Sequence, residues 1–239
     1  MKNYLKRFAN APLFDFFGVG LVVAIAIASG YLNTRLSDLV YWGSWTALVP
    51  FGLISVVNVG ISMLSTRFTG KVNKWGNYLG IVNTILSGTI DYLLGNKAAI
   101  LTYPITFIIY SVAIKKWQAS QEGKPNTKST TQTHLIALIA TTLAFAFSYG
   151  TNYIGYGGHM NTLAYVTTIA FALSLVANVL NALKLTTQWR FWFVYNVIQL
   201  LKALIQGNFA NLGKYIFYCL NAVGALFIWN DNERKPNPC

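Results

Sequence analysis

Trp189, Trp192, Asn196 and Gln199 stand in the stretch Trp189-Arg-Phe-Trp192-Phe-Val-Tyr-Asn196-Val-Ile-Gln199, which opens a long apolar run. Wound as a helix at about 100° per residue, the four fall in one sector roughly 80° wide. Indole faces stack on flat rings, worth roughly 1–3 kcal/mol per base-like ring. They also attract cations, by about 0.5–2 kcal/mol. Amides donate and accept hydrogen bonds, which suits uncharged polar groups. Lipid accepts indoles near its interface, but an unpaired amide in hydrocarbon costs several kcal/mol. This face is therefore expected to look into protein or into a polar cavity. The ligand it fits is a small polar solute, aromatic for preference. A ribosylated, positively charged pyridinium ring suits such a lining; the residues alone do not choose it over a sugar or a nucleoside.

Other stretches repeat the theme. The segment from Trp75 puts Gly76, Gly80, Asn83 and Ser87 on one side, with Asp91 at its edge. The segment before it carries Ser55, Asn58, Ser62 and Ser65 at i, i+3, i+7 and i+10. A later one carries Ser174, Asn178 and Asn181, and Asn221 lies mid-way along the last. Each asparagine alone reads equally as helix–helix glue. Together they favour a hydrated central cavity lined by Asn83, Ser87, Asn196, Gln199 and Asn221. Asp91 reads either as an interfacial anchor paired with Lys97 or as a functional intramembrane acid.

Several function classes are excluded. No G-x-x-x-x-G-K-[ST] loop and no H-E-x-x-H is present, and no acids cluster to hold Mg²⁺. His134 and His159 fall at segment ends. The two cysteines, Cys219 and Cys239, give neither a disulfide framework nor metal spacing. The reading is a channel or facilitator with no catalytic residue, metal or cofactor, not an enzyme.

The elements that must hold these residues are membrane spans. Of 239 residues, 54% are hydrophobic and 10% charged, and the mean hydropathy is +0.46. A soluble domain carries about 25% charged residues. The expectation is an all-α integral membrane protein with eight transmembrane helices, at residues 13–32, 45–64, 75–94, 98–114, 134–150, 161–180, 189–206 and 212–228. The fourth and fifth are the shortest. With the N-terminus inside, fourteen of the 18 basic residues fall on the cytoplasmic side, from Lys2, Lys6 and Arg7 through Lys124 and Lys128 to Arg234 and Lys235. Arg35, Lys97, Lys202 and Lys214 fall on or near the outside. This separation is the positive-inside pattern, so the net charge of +12 needs no nucleic acid to explain it. Both termini are expected in the cytoplasm.

An internal echo sets the halves. Asn58-Val59, Ser65-Thr66 and Trp75 are matched by Asn178-Val179, Thr186-Thr187 and Trp189, and Gly95-Asn96 by Gly207-Asn208. The triplets begin four spans apart and so share an orientation. That predicts two parallel three-helix bundles joined by a linker helix (3+1+3), after one extra N-terminal helix. The divisions are residues 1–44 for the basic segment and extra helix, 45–116 for the first bundle, 117–160 for the linker and connecting helix, 161–230 for the second bundle, and 231–239 for the tail. Parallel repeats occur in transporters with the substrate at the repeat interface.

The motif Trp189-x-x-Trp192-x-x-x-Asn196 resembles the tryptophan motif of the PnuC family of bacterial nicotinamide riboside transporters. Trp75 through Asp91, Tyr103-Pro104 and Tyr110 extend the likeness, over about residues 45–230. The resemblance implies a fold related to the SWEET sugar transporters and a homotrimer in the bacterial inner membrane. It implies uptake of nicotinamide riboside by facilitated diffusion, with a cytoplasmic riboside kinase trapping the product. It carries Trp189, Trp192 and Asn196 over as substrate-binding. The first helix is a departure from the family's seven-helix core. The alternative is a SWEET-like facilitator of a sugar or of another vitamin such as thiamine.

Overall fold

The computed structural model describes residues 11–120, 124–126 and 129–234. Lys2, Lys6, Arg7, Lys128, Lys235 and Cys239 lie outside the described residues, as do the side chains of Asp15 and Arg234. Among the described residues there are eight α-helices and no strand: α1 (Pro12–Ala28), α2 (Phe51–Gly70), α3 (Trp75–Leu93), α4 (Ala99–Gln118), α5 (Thr130–Gly155), α6 (Thr162–Ala182), α7 (Gln188–Ile205) and α8 (Phe209–Arg234). Three short 3-10 turns lie between α1 and α2.

The eight expected spans are all helices, but their lengths differ from expectation. The fourth and fifth are not short: α4 has 20 residues and α5 has 26. Lys115, Lys116 and Trp117 continue α4 past the apolar run, where cations favour the helix C-terminus. Ser129 starts α5 early through a capping box, its hydroxyl accepting from the Gln132 amide at 3.2 Å. The connection between them shrinks accordingly. Five helices, α2, α4, α5, α6 and α8, are long and apolar enough to cross a membrane. The apolar part of α1, Phe16–Ala28, is shorter. Neither α3 nor α7 meets that standard, because one face of each is given over to amides and charges.

Packing closes six helices into a ring in the order α2, α3, α4, α6, α7, α8 and back to α2. Outside it, α1 lies against α8 and α2, and α5 against α6 and α4. Phe14 of α1 stacks on Phe217 of α8 at 4.7 Å. Trp117, Trp189 and Trp229 bury together at one end, with Val72, Ala222 and Ala225. Between α3 and α4, a Cβ on Gly80 would lie 2.6 Å from the Tyr110 ring, and one on Gly88 would lie 2.8 Å from Tyr103. Those glycines seat the α4 tyrosines.

The turns repeat. Val72, between α2 and α3, and Lys184, between α6 and α7, both have φ 57°. Gly95 and Gly207, after α3 and α7, both have positive φ. Each pair is separated by the same number of residues. This register matches Trp189 with Asn77 and Asn178 with Thr66, so the echo of Trp75 with Trp189 and of Asn58 with Asn178 is out of step with the backbone. The Gly95-Asn96 and Gly207-Asn208 match stays in register.

Candidate functional site

The ring encloses a cavity of about 150 Å³. Residues of α1 and α5 take no part in its lining. On α7 the lining face is Trp189, Trp192, Tyr195, Asn196, Gln199, Lys202 and Ala203, with Gln206 just past the helix end. Helical periodicity explains the set: positions three and four apart stack on one side.

Trp192 is half-buried and stands edge-on to Tyr195, 5.2 Å between centroids. Its indole nitrogen donates to Gln188 at 3.4 Å. Tyr195 continues edge-on to Tyr215, and Tyr215 to Tyr218. Tyr103 and Tyr110 line the cavity from α4. Trp189 touches the lining but is 2% exposed, its ring edge-on to Trp229 at 5.9 Å. It belongs mainly to the aromatic core at that end.

The amides divide into committed and uncommitted groups. Asn58 donates to the Ser87 hydroxyl at 2.9 Å, and Ser87 donates to the Asn83 carbonyl at 3.0 Å. Gln199 donates to the Tyr195 hydroxyl at 2.7 Å. Tyr218 donates to Ser62 at 2.9 Å. Asn196 is 4% exposed, lines the cavity, and has no side-chain hydrogen bond among the described residues. A buried amide with no such bond is costly, and a ligand would offset that cost.

Six of the seven residues expected to bind substrate therefore line one cavity: Trp189, Trp192, Asn196, Gln199, Asn83 and Ser87. Asn221 does not. Its carbonyl accepts from the Arg67 guanidinium at 3.0 Å, and a buried cation takes precedence over a cavity wall. Ser55 is likewise occupied, by the Tyr31 hydroxyl at 3.2 Å. Asn58, Ser62, Ser65, Ser174, Asn178 and Asn181 all reach the lining.

One end of the cavity is charged. Lys202 of α7 meets Asp91 of α3, Nζ to Oδ2 2.5 Å, both side chains under a tenth exposed. Gln206 donates to the other carboxylate oxygen at 2.8 Å, and Asn96 and Tyr103 complete the shell. Tyr156, beyond the end of α5, donates to Asn96 at 3.2 Å. Burial pushes its phenol up to about 12, so it stays a donor. The expected partner Lys97 lies instead over the Tyr92 ring at 5.1 Å. The sequence reading missed Tyr195, Tyr215 and Tyr218, and did not assign Lys202 and Lys214 to the cavity that they line. The available signal was the presence of two lysines within apolar runs. Among the described residues no His, Cys, Asp or Glu cluster could hold a metal ion.

A family model described as nicotinamide mononucleotide transporter matches residues 52–231 of the chain. The crystal structure of the vitamin B3 transporter PnuC is similar in fold, with a TM-score of 0.69 at 16% sequence identity, covering 94% of this chain and 93% of that chain. No curated protein matches the chain in sequence.

Proposed function

The chain belongs to the nicotinamide mononucleotide transporter family, and from that premise we propose that it is a vitamin B3 transporter that takes up nicotinamide riboside by facilitated diffusion. One observation carries the reading. A single cavity brings the half-buried ring of Trp192 beside Tyr195, the uncommitted amide of Asn196, and the donor chain of Asn58, Ser87 and Asn83. The pyridinium ring would stack on the aromatic wall, where its charge also favours a π face. The amides would take the ribose hydroxyls and the carboxamide. Binding energy then comes from one stacked ring and a few hydrogen bonds, enough for recognition without a covalent step.

The closed ring of six helices and the repeated turns support two parallel three-helix halves, residues 45–116 and 161–230, with α5 as the linker helix. Under the positive-inside reading the Trp189 end of the cavity faces the cytoplasm and the Asp91–Lys202 end faces outward. The termini are then cytoplasmic, in a bacterial inner membrane. The family resemblance supports a homotrimer. No loop for a nucleotide occurs in the sequence, which supports passive movement, with a cytoplasmic riboside kinase consuming the product and so keeping the gradient inward.

The test is isothermal titration of the purified, detergent-solubilised protein with nicotinamide riboside, with thiamine and glucose as controls. Selective riboside binding is the expected result. Heat from thiamine or glucose and none from riboside, in a folded sample, would replace the substrate while leaving the fold.

A further inference from the structure

Charge in the cavity does not balance. Among the described residues its lining holds one acid, Asp91, and two lysines, Lys202 and Lys214. Lys202 is paired with Asp91 at 2.5 Å, and Gln206, Asn96 and Tyr103 complete the shell of that carboxylate. Lys214 of α8 is 4% exposed and is left over. Its ammonium makes no hydrogen bond and no ion pair among the described residues; its contact is the face of Tyr215, 4.5 Å from the ring centroid. A ring face satisfies one side of an ammonium, not its three donors. A buried charge so placed is costly until an acceptor of opposite sign reaches it. One turn earlier on the same helix, Asn211 also lines the cavity, and its side-chain amide makes no hydrogen bond among the described residues. Tyr215 is part of the aromatic wall: Trp192 meets Tyr195 at 5.2 Å, and Tyr195 meets Tyr215 at 6.1 Å. The unpaired donors thus flank the wall on which a flat ring would stack.

We propose that Lys214, with Asn211 beside it, forms a carboxylate subsite, so that the cavity prefers a pyridinium riboside whose ring carries a carboxylate over one whose ring carries a carboxamide. The idea rests on the transport reading above and narrows its substrate class. Carboxylate and carboxamide have nearly the same shape, so charge and hydrogen-bond polarity choose between them. A carboxylate only accepts and matches an ammonium, which only donates; a carboxamide turns half of its polar edge into a donor. The amide form is a cation and adds to the unbalanced positive charge of the lining. The acid form is a zwitterion. Its carboxylate pairs with Lys214 through charge-assisted bonds, while its ring keeps a positive charge for the tyrosine and tryptophan faces. Neither form carries a phosphate, so a cytoplasmic riboside kinase still has a hydroxyl to phosphorylate in either.

Calorimetric titration of the purified full chain compares two probes that differ only in this group, nicotinic acid riboside and nicotinamide riboside. The wild type is expected to bind the acid at least tenfold more tightly. That preference is expected to fall at least tenfold in Lys214→Gln, with size-exclusion elution and circular dichroism as fold checks. A wild type that binds the amide alone, or the acid with less than a tenfold advantage, overturns the subsite and leaves the transport reading standing. A folded Lys214→Gln that loses less than tenfold of the preference overturns it too. Where only the acid binds, its own affinity is read against the same tenfold threshold, and a loss beyond it makes the acid the substrate. If Lys214→Gln fails the fold checks, Asn211→Leu is read in its place: a loss of at least about threefold supports the subsite, and a smaller one overturns it. Binding of neither riboside counts against the transport reading. Nicotinic acid and nicotinamide then serve as the probe pair under the same thresholds, and absence of binding by both overturns the subsite as well.

Discussion

Trp192 and Asn196 sit one turn apart on α7 and differ in what they can give a ligand. Trp192 is half-buried and lines the cavity, its ring steeply inclined to that of Tyr195 with 5.2 Å between centroids, and its indole is the ring we assign to stacking. Trp192→Ala is expected to weaken riboside binding more than tenfold, about 1.4 kcal/mol, while the protein still elutes as a folded species. Calorimetry on the folded variant checks this; unchanged affinity would assign the ring to packing alone. Asn196→Leu keeps most of the volume and removes the amide that would bond a ligand. Uptake by that variant in cells is expected to disappear, and wild-type uptake would make Asn196 a packing residue. The α7 face was legible from sequence because lining and position both follow one helix's periodicity. Asn221 was not, since the group that takes its carbonyl, Arg67, is 154 positions away. The tyrosines of α4 and α8 were hidden for another reason: in a run apolar on every side, periodicity does not reveal which phenol turns inward.

At the level of elements, α3 and α7 are the two ring helices that fall short of a simple membrane span, and the Asp91–Lys202 pair ties them to each other. That tie joins residues 111 positions apart, which local patterns do not encode. Both side chains are under a tenth exposed, so removing one partner strands a buried charge. Lys202→Met is expected to cost about 3–5 kcal/mol, read as a clear fall in the thermal unfolding midpoint in detergent. The double variant Asp91→Asn, Lys202→Met removes both charges and is expected to recover most of that loss. Equal midpoints for the single variant and the wild type would show that the pair does not hold α3 to α7. Gly80 makes a separate demand on the same helix: any side chain there strikes the Tyr110 ring. Helix number was readable from hydropathy and charge. Helix ends were not, because caps such as Ser129 and polar extensions such as Lys115-Lys116 add turns beyond the apolar run.

For the whole molecule, the relevant features are a ring of six helices, a cavity with charge at one end and tryptophan at the other, and a tight ion pair within it. Of the sequence matches, Gly95-Asn96 with Gly207-Asn208 keeps the register set by the turns at Val72, Lys184, Gly95 and Gly207; the Asn58 and Trp75 matches fall out of step, because a turn fixes a conformation and leaves most side chains free to diverge. On the proposed facilitator reading, transport needs no gradient other than that of the solute. Reconstituted alone in liposomes, the protein is expected to equilibrate nicotinamide riboside across the bilayer and to stop there. A protonophore should leave the initial rate unchanged, since coupling would require a charge that moves with each cycle, and Asp91, the only acid in the lining among the described residues, is already engaged by Lys202, Gln206, Asn96 and Tyr103. Loading the vesicles with a riboside kinase and ATP should then carry total uptake past equilibrium, because phosphorylation removes the free riboside that would flow back. Accumulation of unmodified riboside against its gradient, abolished by the protonophore, would mean that the Asp91–Lys202 pair opens during transport and that uptake is driven.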